Sequence, residues 1–322
     1  MVRYVLLRLA GALPQLLLIS VIAFAIMKAA PGDPVASLVG GREFMTQADY
    51  ERVARNLGLD QPITMQYTRW LGNVLQGEWG YSIQDGRKVG TVIAGALANT
   101  LLLIGVAGVV MVIVALVAGH WAGTRAQQPA DYVISAVALV SFATPAFWLG
   151  LLLILLFGVV LDWLPSAGQS SLGEPDTVWM RVRHLILPVA TIVLAHVGPY
   201  VRLVRGSVRD VLSSDYYRAA VARGLPKHIL MWHYELPNAL TPFITWCGFS
   251  LPLLVGGTFI VEWVFSWPGI GVLFLKAAIA KNYTMLMAAV LVTGAFVIVG
   301  NLVADVLVAW LNPKLRRTHG GA

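Results

Sequence analysis

Few residues in this chain are of a type and spacing that could make or break bonds. His184, His196, His228 and His233 form no metal-ligand spacing on one helix face, and of these four only His196 lies within an apolar stretch. The lone cysteine, Cys247, sits in an apolar run, so an intrachain disulfide is ruled out and packing is its simplest use. There is no Gly-x-x-x-x-Gly-Lys-Ser/Thr phosphate loop, no His-Glu-x-x-His and no Gly-x-Ser-x-Gly. The chain lacks the parts for hydrolysing a nucleotide, an ester or a peptide, and no metal site is expected. Proton-coupled transport needs an ionisable group near the middle of a membrane span. Asp305 is the candidate, close to the end of its apolar stretch with Asn301 one helical turn before it. The pair reads first as an interhelical hydrogen bond and second as a proton relay.

A different kind of polarity marks "DYYRAAVARGLPKHILMWHYELP", Asp215 to Pro237. Ser214 or Asp215 can cap a helix whose body, Tyr216 to Arg223, contains three alanines, and Gly224 can supply the left-handed turn that ends it. Pro226 suits the first turn of a second helix, where a missing N–H does no harm. Leu236 and Pro237 are expected to close that helix. Two helices of about ten residues are marginal alone in water, and the second carries Ile229, Leu230, Met231 and Trp232 side by side. A partner must cover them. The alanines permit close approach and the Gly224 break lets the helices meet at an angle, so the segment reads as a docking element.

The elements around it belong to a membrane. Of 322 residues, 58% are apolar and only 12% charged, with a mean hydropathy of +0.74, far from the roughly 25% charged content of soluble domains. About 20 apolar residues cross a hydrocarbon layer as a helix. Six stretches qualify: Leu9 to Met27, Val89 to Thr124, Tyr132 to Leu161, Leu185 to Val201, Asn238 to Val261 and Asn282 to Ala304. The fourth, with Pro188 and Pro199, is at the short limit, and Pro145 and Pro252 predict bends elsewhere. The first stretch follows Arg3 and Arg8 like a signal peptide. Its apolar core exceeds the usual 7 to 15 residues and no small-x-small site closes it, so it is expected to stay as a helix.

Basic residues in short loops orient the chain. With the N-terminus inside, the inner segments hold twelve basic and four acidic residues, the outer ones eleven of each. Six of the outer basic residues fall in a loop long enough to escape the rule, so both termini are expected in the cytoplasm. The net charge of +7 is then an orientation signal and no nucleic-acid footprint. In the outer loop, residues 30–95, Thr46 and Asp49 can cap a helix ending at Gly58. A second follows Pro62, with Ile63, Tyr67, Trp70, Leu71, Val74 and Leu75 on one stripe. These amphipathic helices either cap the outer mouth of the bundle or lie on the membrane surface. No internal repeat or low-complexity linker divides residues 1–322, and one membrane domain is the simplest count.

"RAAVARG", with Leu236 and Pro237 twelve and thirteen residues after Gly224, resembles the Glu-Ala-Ala, three residues, Gly, then Leu-Pro signature of the permease subunits of ATP-binding-cassette importers. Arg218 stands at the Glu position and Tyr234 at the usual Ile position, and the former is common in the peptide and nickel branch. "PGDPV" (31–35), "NLGLDQP" (56–62), "GEWGYS" (77–82), "FSWPGIG" (265–271) and "NLVADVL" (301–307) extend the resemblance over nearly the whole chain, to the first of the two permeases in such systems. The resemblance implies an all-α polytopic membrane protein with the six transmembrane helices of a type I importer permease. It implies a second homologous permease, two ATPase subunits that bind ATP and Mg, an extracytoplasmic solute-binding protein, and a bacterial inner membrane around them. No cofactor is expected in this chain. By the same resemblance residues 206–237 are the coupling segment that inserts into the ATPases, with Asp215, Arg218, Ala219, Ala220, Gly224, Leu225, Leu236 and Pro237 carrying the contact. Trp267, Pro268 and Gly269 form an outer turn that reads first as a membrane-anchoring turn and second as part of the outer gate or a contact for the binding protein. Short peptides are the favoured solute, with nickel chelates and glutathione as alternatives.

Overall fold

The computed structural model describes residues 2–29, 46–56, 58–171, 173, 175 and 177–311, and among these the regular structure is helical, with no strand beyond one isolated bridge between Tyr81 and Lys88. The helices are α1 Val2–Ala29, α2 Gln47–Asn56, α3 Ile63–Leu75, α4 Val89–Thr124, α5 Pro129–Ala143, α6 Ala146–Leu153, α7 Val178–Ser213, α8 Asp215–Ala222, α9 Lys227–Ile229, α10 Leu236–Val264, α11 Ile270–Ile279 and α12 Tyr283–Leu311. A wider, π-helical turn continues α6 over Ile154–Val160, and another, Leu230–Glu235, joins α9 to α10. "PGDPV" lies outside the described residues.

Among the described residues, four helical segments are long and apolar enough to cross a membrane: Ala10–Ala29, Val89–Thr124, Val178–Ser213 and Tyr283–Val303. The α5–α6 pair makes a fifth if its two halves count as one span. Over the expected third span the chain turns by 106° between α5 and α6. Pro145 has no N–H for the ladder, and Thr144 closes α5 by donating its hydroxyl to Val140 O at 2.7 Å. The expected fourth span proves to be the middle of a 36-residue helix, α7, about 54 Å long against a hydrocarbon thickness of about 30 Å. Pro188 and Pro199 do not stop it. Thr191 donates its hydroxyl to Leu187 O at 2.9 Å and His196 donates Nδ1 to Ile192 O at 2.9 Å, and the helix runs on through both prolines. Pro252 lies within α10, which continues through it.

The chain falls into two compact units, residues 1–98 with 269–298, and residues 99–268 with 299–322. In the first, α3 grips α1. Tyr67 and Trp70 stack on Phe24 with ring centroids 5.4 and 5.8 Å away, and the Tyr67 hydroxyl meets Ser20 Oγ at 2.7 Å. The α3 stripe is thus divided: Tyr67 and Trp70 hold α1 while Ile63 and Leu75 are exposed. Thr46 caps α2 as expected, its Oγ1 accepting from Asp49 N at 3.2 Å. Gly58 ends α2 with φ of +67°. "GEWGYS" is tied down by Asn282, which donates Nδ2 to Ser82 Oγ at 2.8 Å, both residues buried.

The second unit is built around α7, whose Leu187, Ile192, Val201, Val204 and Val208 are almost completely buried. It nests in a notch that α4 offers at Gly119 and Gly123. A Cβ at Gly119 would lie 2.6 Å from Val204 Cβ, and one at Gly123 2.8 Å from Val208 Cβ. Small residues four apart let two backbones close up, and in lipid that contact is the chief source of helix association.

Candidate functional site

The segment Asp215–Pro237 leaves the C-terminal end of α7 through Ser214. Ser214 precedes α8, but its hydroxyl donates back to Val211 O at 2.5 Å. It therefore seals α7 and does not cap α8. Gly224 takes φ of +76°, donates its N–H to Val221 O at 2.9 Å and turns the chain, as its left-handed conformation permits. Pro226 stands just before α9 and its carbonyl accepts from Ile229 N and Leu230 N. The expected stop at Leu236 and Pro237 is corrected by the structure. The helix widens to a π turn over Leu230–Glu235 and runs straight into α10, with Pro237 in its first turn. Leu236 N reaches back five residues to Met231 O, so the ladder has already shifted where Pro237 has nothing to donate.

Two faces result. Ala220, Leu230 and Glu235 are buried, and Tyr217 is half-buried beside them. Burial first, and then the Glu235 carboxylate, push the Tyr217 phenol above its ordinary pKa. The other face exposes Asp215, Tyr216, Arg218, Ala219, Val221, Arg223, Gly224, Lys227 and Trp232, while Leu225 and Leu236 are half-buried. Trp232 is 61% exposed and Val221 49%, a cost in water that a protein partner removes.

Behind this surface stand two ion pairs, neither visible to sequence reasoning. His120 Nδ1, on α4, lies 2.9 Å from Glu235 Oε1. Asp131, at the start of α5 and 1% exposed, takes both nitrogens of an Arg205 fork from α7, with Nη2 to Oδ2 at 2.8 Å. Gln127 N adds 2.9 Å to Oδ2 and Ser135 Oγ 3.3 Å to Oδ1, so the carboxylate is fully engaged. The short connection between α4 and α5 is thereby clamped to α7. Asp131 had a sequence signal, an acid in a helix's first turn. Glu235 had only its place as the lone acid in the second half of a basic segment.

Trp267, expected at the membrane interface, is completely buried. Its Nε1 donates to Asn99 O at 3.0 Å, and Asn99 Nδ2 donates back to Pro268 O at 3.0 Å. The indole N–H thus ties the turn to α4 through the Asn99 carbonyl. Pro268 remains exposed. His184 meets Ala167 O, Gly168 O and Ser171 Oγ at 3.1 to 3.2 Å. His196 packs where Gly257 makes room, since a Cβ there would lie 2.9 Å from Nε2. His228 and His233 are exposed on the docking segment. Asn301 is exposed and Asp305 half-buried. No group of three His, Cys, Asp or Glu able to hold a metal ion exists among the described residues.

Comparison with known proteins follows the same outline. The family description "Binding-prot-dependent transport system membrane comp, N-term" matches residues 1–104, and "Binding-protein-dependent transport system inner membrane component" matches residues 111–317. The oligopeptide transport system permease protein AppB of Bacillus subtilis is 37% identical over 316 residues, 98% of this chain and 99% of the relative. The glutathione transport system permease protein GsiC of Escherichia coli K12 has the same identity and coverage. A putative peptide permease of Brucella ovis is 34% identical over 99% of this chain and all of its own length. An amino acid ABC transporter crystallised with histidines shares the fold at 13% identity and a TM-score of 0.51, over 68% of this chain and 93% of the other. The chain therefore belongs to the binding-protein-dependent transport system inner membrane components, and it is a multi-pass permease subunit of an ATP-binding-cassette importer of the peptide and nickel branch.

Proposed function

We propose that this permease forms half of a translocation pathway for short peptides, paired with a second homologous permease, and that Asp215–Pro237 is the cytoplasmic handle by which two ATP-hydrolysing subunits drive it. Both termini lie in the cytoplasm in this reading. The chain itself hydrolyses nothing; ATP and Mg are held by the partner subunits. An extracytoplasmic binding protein delivers the solute, with Pro268 as a contact and Trp267 and Gly269 framing it. Relatives named for oligopeptides, peptides and glutathione support the solute class.

The observation that carries the reading is the two-faced docking segment. Its buried face holds Ala220, Leu230 and Glu235, and its free face places Tyr216, Val221 and Trp232 among Arg218, Arg223 and Lys227. An exposed aromatic and β-branched side chain set among cations suit a surface that another protein covers.

Gly224→Val tests it in the complex of both permeases, the ATPases and the binding protein. A Cβ at Gly224 meets nothing within 4 Å, so the chain itself has room. The left-handed backbone costs a branched residue about 1 to 2 kcal/mol, and the altered turn misdirects the exposed face. The variant should insert normally and lose solute-stimulated ATP turnover. Wild-type stimulation in that complex refutes the handle, and uptake of peptide by the permease without ATPases refutes the whole reading.

A further inference from the structure

We propose that His120 and Glu235 form a positioning strut that makes the docking segment and α4 move as one body, an inference that rests on the reading of Asp215–Pro237 as the ATPase handle.

The case begins with the π turn. Glu235 ends a stretch, Leu230–Glu235, in which the helix is wider than an α-helix. Such turns are rare and yield more easily than α-helical ones. A push on exposed Trp232 would be absorbed there by local unwinding unless something held the turn from behind. Glu235 is the group in place to do so. It is 4% exposed, and a buried carboxylate is costly unless a cation faces it. His120 Nδ1 lies 2.9 Å from Glu235 Oε1, within ion-pair distance but outside hydrogen-bond geometry, and neither atom has a hydrogen-bond partner among the described residues. Each therefore depends on the other.

The far end of the strut is rigid. His120 stands next to Gly119, where α4 and α7 approach so closely that a Cβ would lie 2.9 Å from Val201 O. A force entering at His120 thus reaches a helix pair with no slack. Stability alone does not call for this arrangement, because replacing a buried ion pair with apolar residues is often neutral or stabilising. A direction-specific link between a yielding turn and a stiff one does.

The test uses the complete reconstituted importer and reads the ratio of solute-stimulated to basal ATP turnover, with peptide uptake beside it. Glu235→Gln and His120→Gln should each assemble and lower that ratio about tenfold, within the 5- to 150-fold range of site-to-site coupling. The double variant H120Q/E235Q should be no worse than either single, and the exchange H120E/E235H should recover most of the ratio. A wild-type ratio in an assembled single variant overturns the strut, as do losses that multiply in the double. If Glu235→Gln fails to assemble, His120→Gln decides, since its side chain is 31% exposed. Failure of His120→Gln to assemble also overturns the proposal, because the pair is then only structural. Gly224→Val in the same assay separates the two levels: coupled Gly224→Val sinks the handle, whereas uncoupled Gly224→Val beside coupled Glu235→Gln sinks the strut alone.

Discussion

Gly119→Ala should damage this protein far more than its size implies. The added Cβ would sit 2.6 Å from Val204 Cβ, 2.9 Å from Val204 Cγ1 and 2.9 Å from Val201 O, where carbon atoms rest at about 3.5 to 4.0 Å. The shortfall is about 1 Å, and neither neighbour can yield: the oxygen is backbone, and a helical valine has essentially one rotamer. The whole of α7 must therefore retreat from α4, releasing contacts made by Val204 and Val208. Overpacking in cores costs about 1 to 3 kcal/mol, and the upper end applies when backbone is the obstacle. At about 2 to 4 °C per kcal/mol for a larger domain, the melting temperature of the purified permease should fall by about 6 to 12 °C. Gly105→Ala is the control, since a Cβ there meets nothing within 4 Å on the same helix. That variant should hold its melting temperature or gain up to about 1 kcal/mol from helix propensity. Equal melting temperatures for the two variants would show that α4 and α7 do not depend on a glycine notch, and the rigid anchor assigned to His120 would go with it.

Other variants follow from named contacts. Arg205→Ala strips the fork from Asp131, which is 1% exposed, and should cost about 3 kcal/mol or more in thermal unfolding, whereas an apolar pair at both positions should cost far less. Trp267→Phe keeps the ring but loses the bond to Asn99 O, so about 1 kcal/mol of stability should go. Cross-linking from position 267 to the binding protein should fail, since the side chain is buried, while exposed Pro268 should give product.

Much of this protein was legible from composition and local rules. The membrane character, most of the helical spans, the Thr46 cap, the Gly58 and Gly224 turns and the broken helix pair within Asp215–Pro237 all depend on residues near one another in the chain, where periodicity and backbone preference decide. The resemblance carried by Ala219, Ala220, Gly224, Leu236 and Pro237 led to the right family.

Tertiary structure decided what depends on neighbours distant in sequence. Pro188 and Pro199 look like helix breakers until buried packing holds α7 together around them. Trp267 looks like a membrane anchor until Asn99, 168 residues away, offers its carbonyl. Leu236 and Pro237 look like a stop until a π turn shifts the ladder ahead of them. Glu235 and His120 are unremarkable letters 115 positions apart, and only the crossing of α4 beside α7 brings their atoms to 2.9 Å. Local chemistry specifies which segments become helices, but burial and pairing of charge are properties of the packed chain, and those set what each polar residue is for.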